Sequence, residues 1–151
     1  ALSSYVKNDS TRLNLFLKLA KTTDSDSEGV KAAEEAVNLA KALNLKSKLG
    51  EAYILNAACI LELGNDSLAF SLLNEALEIF KKSEEEIEEA NVYSGLGRIF
   101  QYRSQYYKAI EYNKNALTIY EKNKNIELSG KANLNLGVCY YLLSDFAEAE
   151  Q

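Results

Sequence analysis

Apolar residues recur along this chain at helical spacing, in stripes separated by short polar connectors. Leu13, Phe16, Leu17 and Ala20 form the first stripe, and Asp9 with Ser10 predicts a capped helix start near Thr11. The polar stretch from Thr22 to Gly29 interrupts the pattern. Val30, Ala33, Ala36, Val37 and Ala40 then share one face of a second helix. Past a connector at Asn44 to Ser47, a third helix carries Ala52, Tyr53, Asn56, Ala57, Ile60 and Leu61. Gly64-Asn65-Asp66 reads as a turn and a new helix start, followed by Ala69, Leu72, Leu73, Ala76, Leu77 and Phe80. Ser83 and Glu86 have the spacing of a capping box for a helix ending near Tyr102. A turn at Ser104-Gln105 leads to the stripe Ala109, Tyr112, Ala116, Leu117 and Tyr120. After a connector from Asn123 to Asn125, a helix is expected from Leu128 to Leu143, and Asp145 is expected to open another.

These stripes repeat. Leu96-Gly97 matches Leu136-Gly137 at a spacing of 40, Phe100 matches Tyr140, Tyr106 matches Phe146 and Ala109 matches Ala149. One period back, Tyr53 falls against Tyr93, Ala57 against Gly97, Ile60 against Phe100, and Ala76-Leu77 against Ala116-Leu117. A further step back is weaker: Leu17, Gly29 and Ala36-Val37 occupy the corresponding places. The expected organisation is one domain, 1–151, of helix pairs near 10–49, 50–89 and 90–129, with a fourth from 130 cut early in its second helix. Small residues at Gly97 and Ala109 are expected to let the helices of a pair approach. Tyr93, Leu96 and Phe100 are expected to fill the gap to the next pair.

The in-phase residues Tyr93, Leu96-Gly97, Phe100, Ala109 and Ala116, with Asn133, Leu136-Gly137, Tyr140 and Ala149, resemble the tetratricopeptide repeat. The resemblance covers nearly the whole chain. It departs from the family pattern in its period of 40 instead of about 34 residues, in lacking the terminal proline, and in placing Leu17 where a small residue belongs. It implies an all-α, right-handed superhelix (a solenoid) of helix hairpins whose first helices line a concave groove.

Composition narrows the chemistry. The chain has no proline and only 7 glycines, which favours an all-helical fold. With no histidine it lacks the commonest general base and metal ligand. A net charge of −5 argues against nucleic acid and anionic membrane surfaces, and no apolar run is long enough to span a bilayer. No targeting segment opens the chain, so a cytoplasmic location is expected. There is no methionine, so Ala1 is expected to be a start within something longer. Asp24-Ser25-Asp26-Ser27-Glu28-Gly29 with Glu35 nearly fits a calcium-loop spacing, but the repeat register puts Gly29 and Glu35 inside a helix. Cys59 and Cys139 share one register two periods apart and read as separate buried thiols. The acidic run Glu84-Glu85-Glu86, with Glu88-Glu89, reads as a solvated helix start.

No nucleophile–base pair, phosphate loop or metal cluster emerges, so neither an enzyme nor a cofactor is expected. The resemblance implies a scaffold that binds a peptide or helix of a partner protein. Its groove candidates by register are Asn14, Lys18, Asn91, Ser94, Arg98, Gln101, Tyr102, Lys131, Asn135 and Tyr141, with Ile54, Ala58 and Val138 beside them. Some family members grip a C-terminal carboxylate with a Lys/Asn/Lys/Arg set. Ile54, Ala58 and Gly95 stand at those places, leaving only Lys131 and Asn135 polar, so that clamp is not expected. Two other readings follow from the resemblance and the truncated fourth repeat. One is a regulatory or sensor domain of a larger bacterial signalling protein, and the other is a homo-oligomer formed through that repeat.

Overall fold

The computed structural model describes residues 2–23 and 26–149, with side chains at 9–23 and 27–145. Seven helices occupy the described residues: α1 (Leu2–Thr22), α2 (Asp26–Ala42), α3 (Lys46–Glu62), α4 (Asp66–Ser83), α5 (Glu86–Tyr102), α6 (Tyr106–Lys122) and α7 (Ile126–Ala149). The chain divides into two compact units, residues 1–84 with α1–α4 and residues 85–151 with α5–α7. Within each unit, consecutive helices pack on one another, and α1 also meets α3.

The connectors share one design. Asn44, Gly64, Glu84, Ser104 and Lys124 all have positive φ, and they fall on every twentieth residue. At four of these joints the next residue's N–H reaches back to a carbonyl five positions earlier: Leu45 to Ala40, Asn65 to Ile60, Gln105 to Phe100 and Asn125 to Tyr120. A second bond runs from the positive-φ residue to the carbonyl three before it, as from Ser104 to Gln101. This double bond pattern is a Schellman stop, which satisfies the carbonyls a helix end leaves open. Asn65 and Asn125 then cap the next helix, each side-chain oxygen accepting a hydrogen bond 3.1 Å from the N–H three residues on.

Three expectations about helix ends are corrected. Helix α1 begins at Leu2 and passes through Asp9 and Ser10; nothing in that stretch breaks a helix, and Asp9 pairs with Arg12 at 3.2 Å. No capping box joins Ser83 to Glu86. Ser83 ends α4 with its hydroxyl on the Ile79 and Phe80 carbonyls, and Glu85, the N-cap of α5, makes no side-chain cap bond. The turn expected before Asp145 is replaced by an unbroken α7. No proline or glycine stands between Leu142 and Ala149 to break the helix, so α7 runs through Asp145. The side chains of Phe146 and Ala149 lie outside the described residues.

Close packing within each pair rests on small residues against large ones. A Cβ placed on Gly50 of α3 would lie 2.4 Å from the Phe80 ring of α4, and one on Gly97 of α5 would lie 2.6 Å from Asn113 Nδ2 of α6. Gly29 is filled in the same way by Cys59 Sγ, at 2.8 Å. The register places Leu17 with Ala33, Ala57 with Leu73, and Gly97 with Asn113, and all six are buried. By register each of these places sets a large side chain with a small one, an arrangement that the close approach of Asn113 to Gly97 shows directly. Tyr93 and Phe100 pack within their own pair, and Tyr93 also lies against the cluster that includes Ala132 of α7. They lie on the Gly97 side of α5, at spacings of four and three residues, and both rings meet Tyr112 of α6, at 6.1 Å and 5.3 Å between centroids. In the second unit Ala90, Ala116, Tyr120 and Ala132 form a buried cluster flanked by Ile87, Leu117 and Leu128. In the first unit Ala20, Ala32 and Ala33 do so, with Phe16 and Leu55 beside them.

Candidate partner-binding surface

The expected groove residues fall on both units. Asn14 and Lys18 are exposed on α1, and Ile54 and Ala58 are half-buried on α3. The others lie on α5 and α7 of the second unit, where the structure separates them into two groups.

One group spends its polar atoms internally. Asn91 Nδ2 donates to Glu88 Oε2 at 3.0 Å while its Oδ1 accepts from the Tyr120 hydroxyl at 2.8 Å. Asn135 Nδ2 donates across to Ser94 Oγ at 3.5 Å, and the Cys139 thiol approaches Gln101 Oε1 at 3.9 Å. These amides and hydroxyls tie α5 to α6 and α7. Asn91, Ser94, Gln101 and Asn135 are half-buried and Tyr120 is buried, so these contacts help hold the helices at their spacing.

The other group faces outward. Tyr102 at the end of α5 is 57% exposed; on α7, Tyr141 is 68% and Val138 38% exposed. Lys131 donates within its own helix, to Glu127 Oε1 at 2.6 Å. Arg98 is half-buried. Leu134, absent from the sequence-based set, is 69% exposed. It stands in register with Ile54 and Ser94, so the forty-residue spacing itself points to it. Leu134, Val138 and Tyr141 recur at spacings of four and three, opposite the buried Ala132, Leu136 and Cys139. Tyr140, expected in the core, is 48% exposed. Its counterpart Phe100 is covered by Tyr112 of α6, and among the described residues no helix follows α7 to do the same.

Electrostatics around the pair α5/α6 are those of a closed scaffold. Burial, and then the hydrogen bond to Glu89, push the Tyr93 hydroxyl up to about 12. Burial raises Tyr120 and the Cys139 thiol as well, so both stay neutral. Glu86 is held below the usual carboxylate range by hydrogen bonds from Lys122, at 2.6 Å, and from Asn123, at 3.2 Å. Neither cysteine is in a disulfide; Cys139 is buried as expected, whereas Cys59 is half-buried. Of the calcium-loop spacing, Asp24 and Ser25 lie outside the described residues; α2 is already helical from Asp26, and Gly29 is a packing position against Cys59. Among the described residues no cluster of three acidic or cysteine side chains has metal-binding geometry, and no helix is long and apolar enough to cross a membrane.

No curated protein matches the sequence. The crystal structure of BtubC (BKLC) from P. vanneervenii has the same fold, with a TM-score of 0.72 at 22% identity, over 91% of this chain and 59% of that one. The chain thus spans less than two thirds of that protein. The family model for the tetratricopeptide repeat matches residues 48–122 and 88–151. Those segments take in nearly all of α3 to α7, with three of the four Schellman joints and the Gly50–Phe80 and Gly97–Asn113 packing, and the chain belongs to the tetratricopeptide repeat family.

Proposed function

We propose that the protein is a non-catalytic scaffold that binds a peptide or helix of a partner protein, and that the contact is made by the outward side of α5 and α7. The observation that carries this reading is the exposed apolar row Leu134, Val138 and Tyr141 on α7, with the exposed Lys131 one turn before it and the exposed Tyr102 at the end of α5. Exposed aromatic and aliphatic side chains with a cation at the rim suit an apolar anchor held in a polar border. The half-buried amides behind the row hold it rigid, so little ordering cost falls on binding. Repeats of this family generally act by binding other proteins. The test is a pair of substitutions, Leu134→Ser and Tyr141→Ser, read by cross-linking with purified partner candidates and by thermal melting. Wild-type melting with lost cross-linking is expected, and unchanged cross-linking would remove the surface from consideration.

A second reading has its own observation. A Cβ placed on Gly130 or Gly137 of α7 would meet nothing from another element within 4 Å, whereas one on Gly97, in register with Gly137, would run into Asn113. That open face suits a second copy of the chain. Sedimentation equilibrium would show self-association weakened by Tyr140→Ser; a monomer at every concentration would exclude it.

A further inference from the structure

At the base of the pair α5/α6, the carboxylate of Glu86 is clasped between Lys122 Nζ and Asn123 Nδ2. Forty residues earlier, at the base of α3/α4, the same three places are held by Lys46, Lys82 and Ser83. The ammonium donor is retained, while the place of Asn123 is taken by Ser83, whose hydroxyl is turned to the Ile79 and Phe80 carbonyls. The acceptor has become a second ammonium. Where the α5/α6 base is closed by its clasp, the α3/α4 base is an open cleft lined by Lys46, Leu49, Glu78, Ile79, Lys82 and Ser83.

We propose that this cleft receives an acidic side chain from a partner peptide, taking the position that Glu86 fills for its own pair. The charge is complementary. Two cations face one carboxylate, on a chain whose net charge is −5. That carboxylate, Glu78, sits 3.7 Å from Lys82 with both side chains more than two thirds exposed, an arrangement that yields readily to a better acceptor. The first turn of α3 contains no acidic residue, and its N-cap Leu45 makes no side-chain bond, so its N-terminal N–H groups lack the compensation that Glu86, Glu88 and Glu89 give α5. Leu49 and Ile79, both half-buried, form an apolar floor. The matching ligand is a carboxylate flanked by an aliphatic side chain, as in a Glu-Leu or Asp-Ile step, with the carboxylate accepting from Lys46 and Lys82. The site lies on the first unit and stands independently of the surface on α5 and α7.

The experiment titrates the labelled chain with a short peptide holding one Glu among leucines, with the same peptide carrying Gln, and with acetate, following backbone amide resonances. The Glu peptide is expected to move the amides of Lys46, Leu49, Ile79, Lys82 and Ser83. The Gln peptide should bind at least about tenfold more weakly, the scale of one lost charge-assisted hydrogen bond. Lys46→Glu rebuilds the Glu86 arrangement within the chain, so it should fold and should abolish these shifts while leaving α7 untouched. Equal response to the Gln peptide, or persistence of binding in Lys46→Glu, would overturn the proposal. So would acetate saturating the same amides as tightly as the Glu peptide, since the aliphatic floor would then play no part.

Discussion

The pairs α3/α4 and α5/α6 have nearly the same helix lengths and the same form of joint, yet they fill the space between their helices differently. In α3/α4, Gly50 admits the whole ring of Phe80, a side chain with no polar atom. In α5/α6 the same positions hold Ala90 and Tyr120, and the tyrosine hydroxyl finds Asn91. Where α3 and α4 carry Ala57 and Leu73, α5 and α6 carry Gly97 and Asn113. Asn113 donates to the Ala109 carbonyl at 2.8 Å, but its buried Oδ1 has no hydrogen-bond partner. At these two facing positions one backbone arrangement is therefore reached by apolar side chains and by partly polar ones, although α3 also buries Asn56 elsewhere. The geometry of the pair is a constraint on summed volume at each facing position more than on residue type.

The largest expected break in this comparison is Phe80→Ala. Phe80 is fully buried against a glycine, so its removal leaves a void and should cost about 3–5 kcal/mol in chemical denaturation. The matching change in the other pair, Tyr120→Phe, keeps the ring and loses one hydrogen bond, for about 0.5–1.5 kcal/mol. Equal losses would mean that the two pairs are not packed in register.

Gly97 and Gly137 sharpen the point, because they share a register and differ only in what lies opposite. Gly97→Ala should destabilise by about 1–3 kcal/mol as the new methyl meets Asn113, and Asn113→Ala in the same chain should restore most of the loss. Gly137→Ala meets nothing within 4 Å and should stabilise α7 by about 0.5–1 kcal/mol through helix propensity. Melting curves that move in the same direction for both variants would contradict the packing described.

The smallest effect concerns the clasp. Glu86 has a lowered pKa in the folded chain, so its contribution is present above the unfolded carboxylate value and fades as pH falls through the folded one. Carbon-detected titration should place Glu86 below the ordinary glutamate value, and Lys122→Ala should raise it toward that value, with the Asn123 hydrogen bond still holding part of the shift. No movement in that variant would mean that Lys122 is not the controlling partner.

Much of the fold is legible in the chain because helices of this kind are set by apolar spacing and by repetition, both of which are linear properties. The Gly64-Asn65-Asp66 turn and the register of Leu96-Gly97 come out of that spacing directly. Other features depend on geometry that a linear pattern does not contain. Ser83 and Glu86 have capping-box spacing, but positive φ at Glu84 leaves Ser83 in the preceding helix. Tyr93 and Phe100 are identifiable as packing residues, yet which neighbour they reach follows from the side of α5 that Gly97 occupies. At the candidate surface, position could be read but partnership could not. Nothing in the order of residues says that Asn135 meets Ser94, or that Tyr120 claims Asn91. Leu134 was within reach, since Ile54 and Ser94 mark its register.

The evenly spaced joints have a consequence for how the chain opens. At Leu45, Asn65, Gln105 and Asn125, one amide proton is bonded to the carbonyl of a buried residue in the last turn of the preceding helix. That proton exchanges with solvent only when the joint comes apart. The four amides are thus built-in timers at matched points along the chain, two reporting on residues 1–84 and two on residues 85–151. Their relative exchange rates would show whether the two units unfold together or in sequence, and which end of the array lets go first.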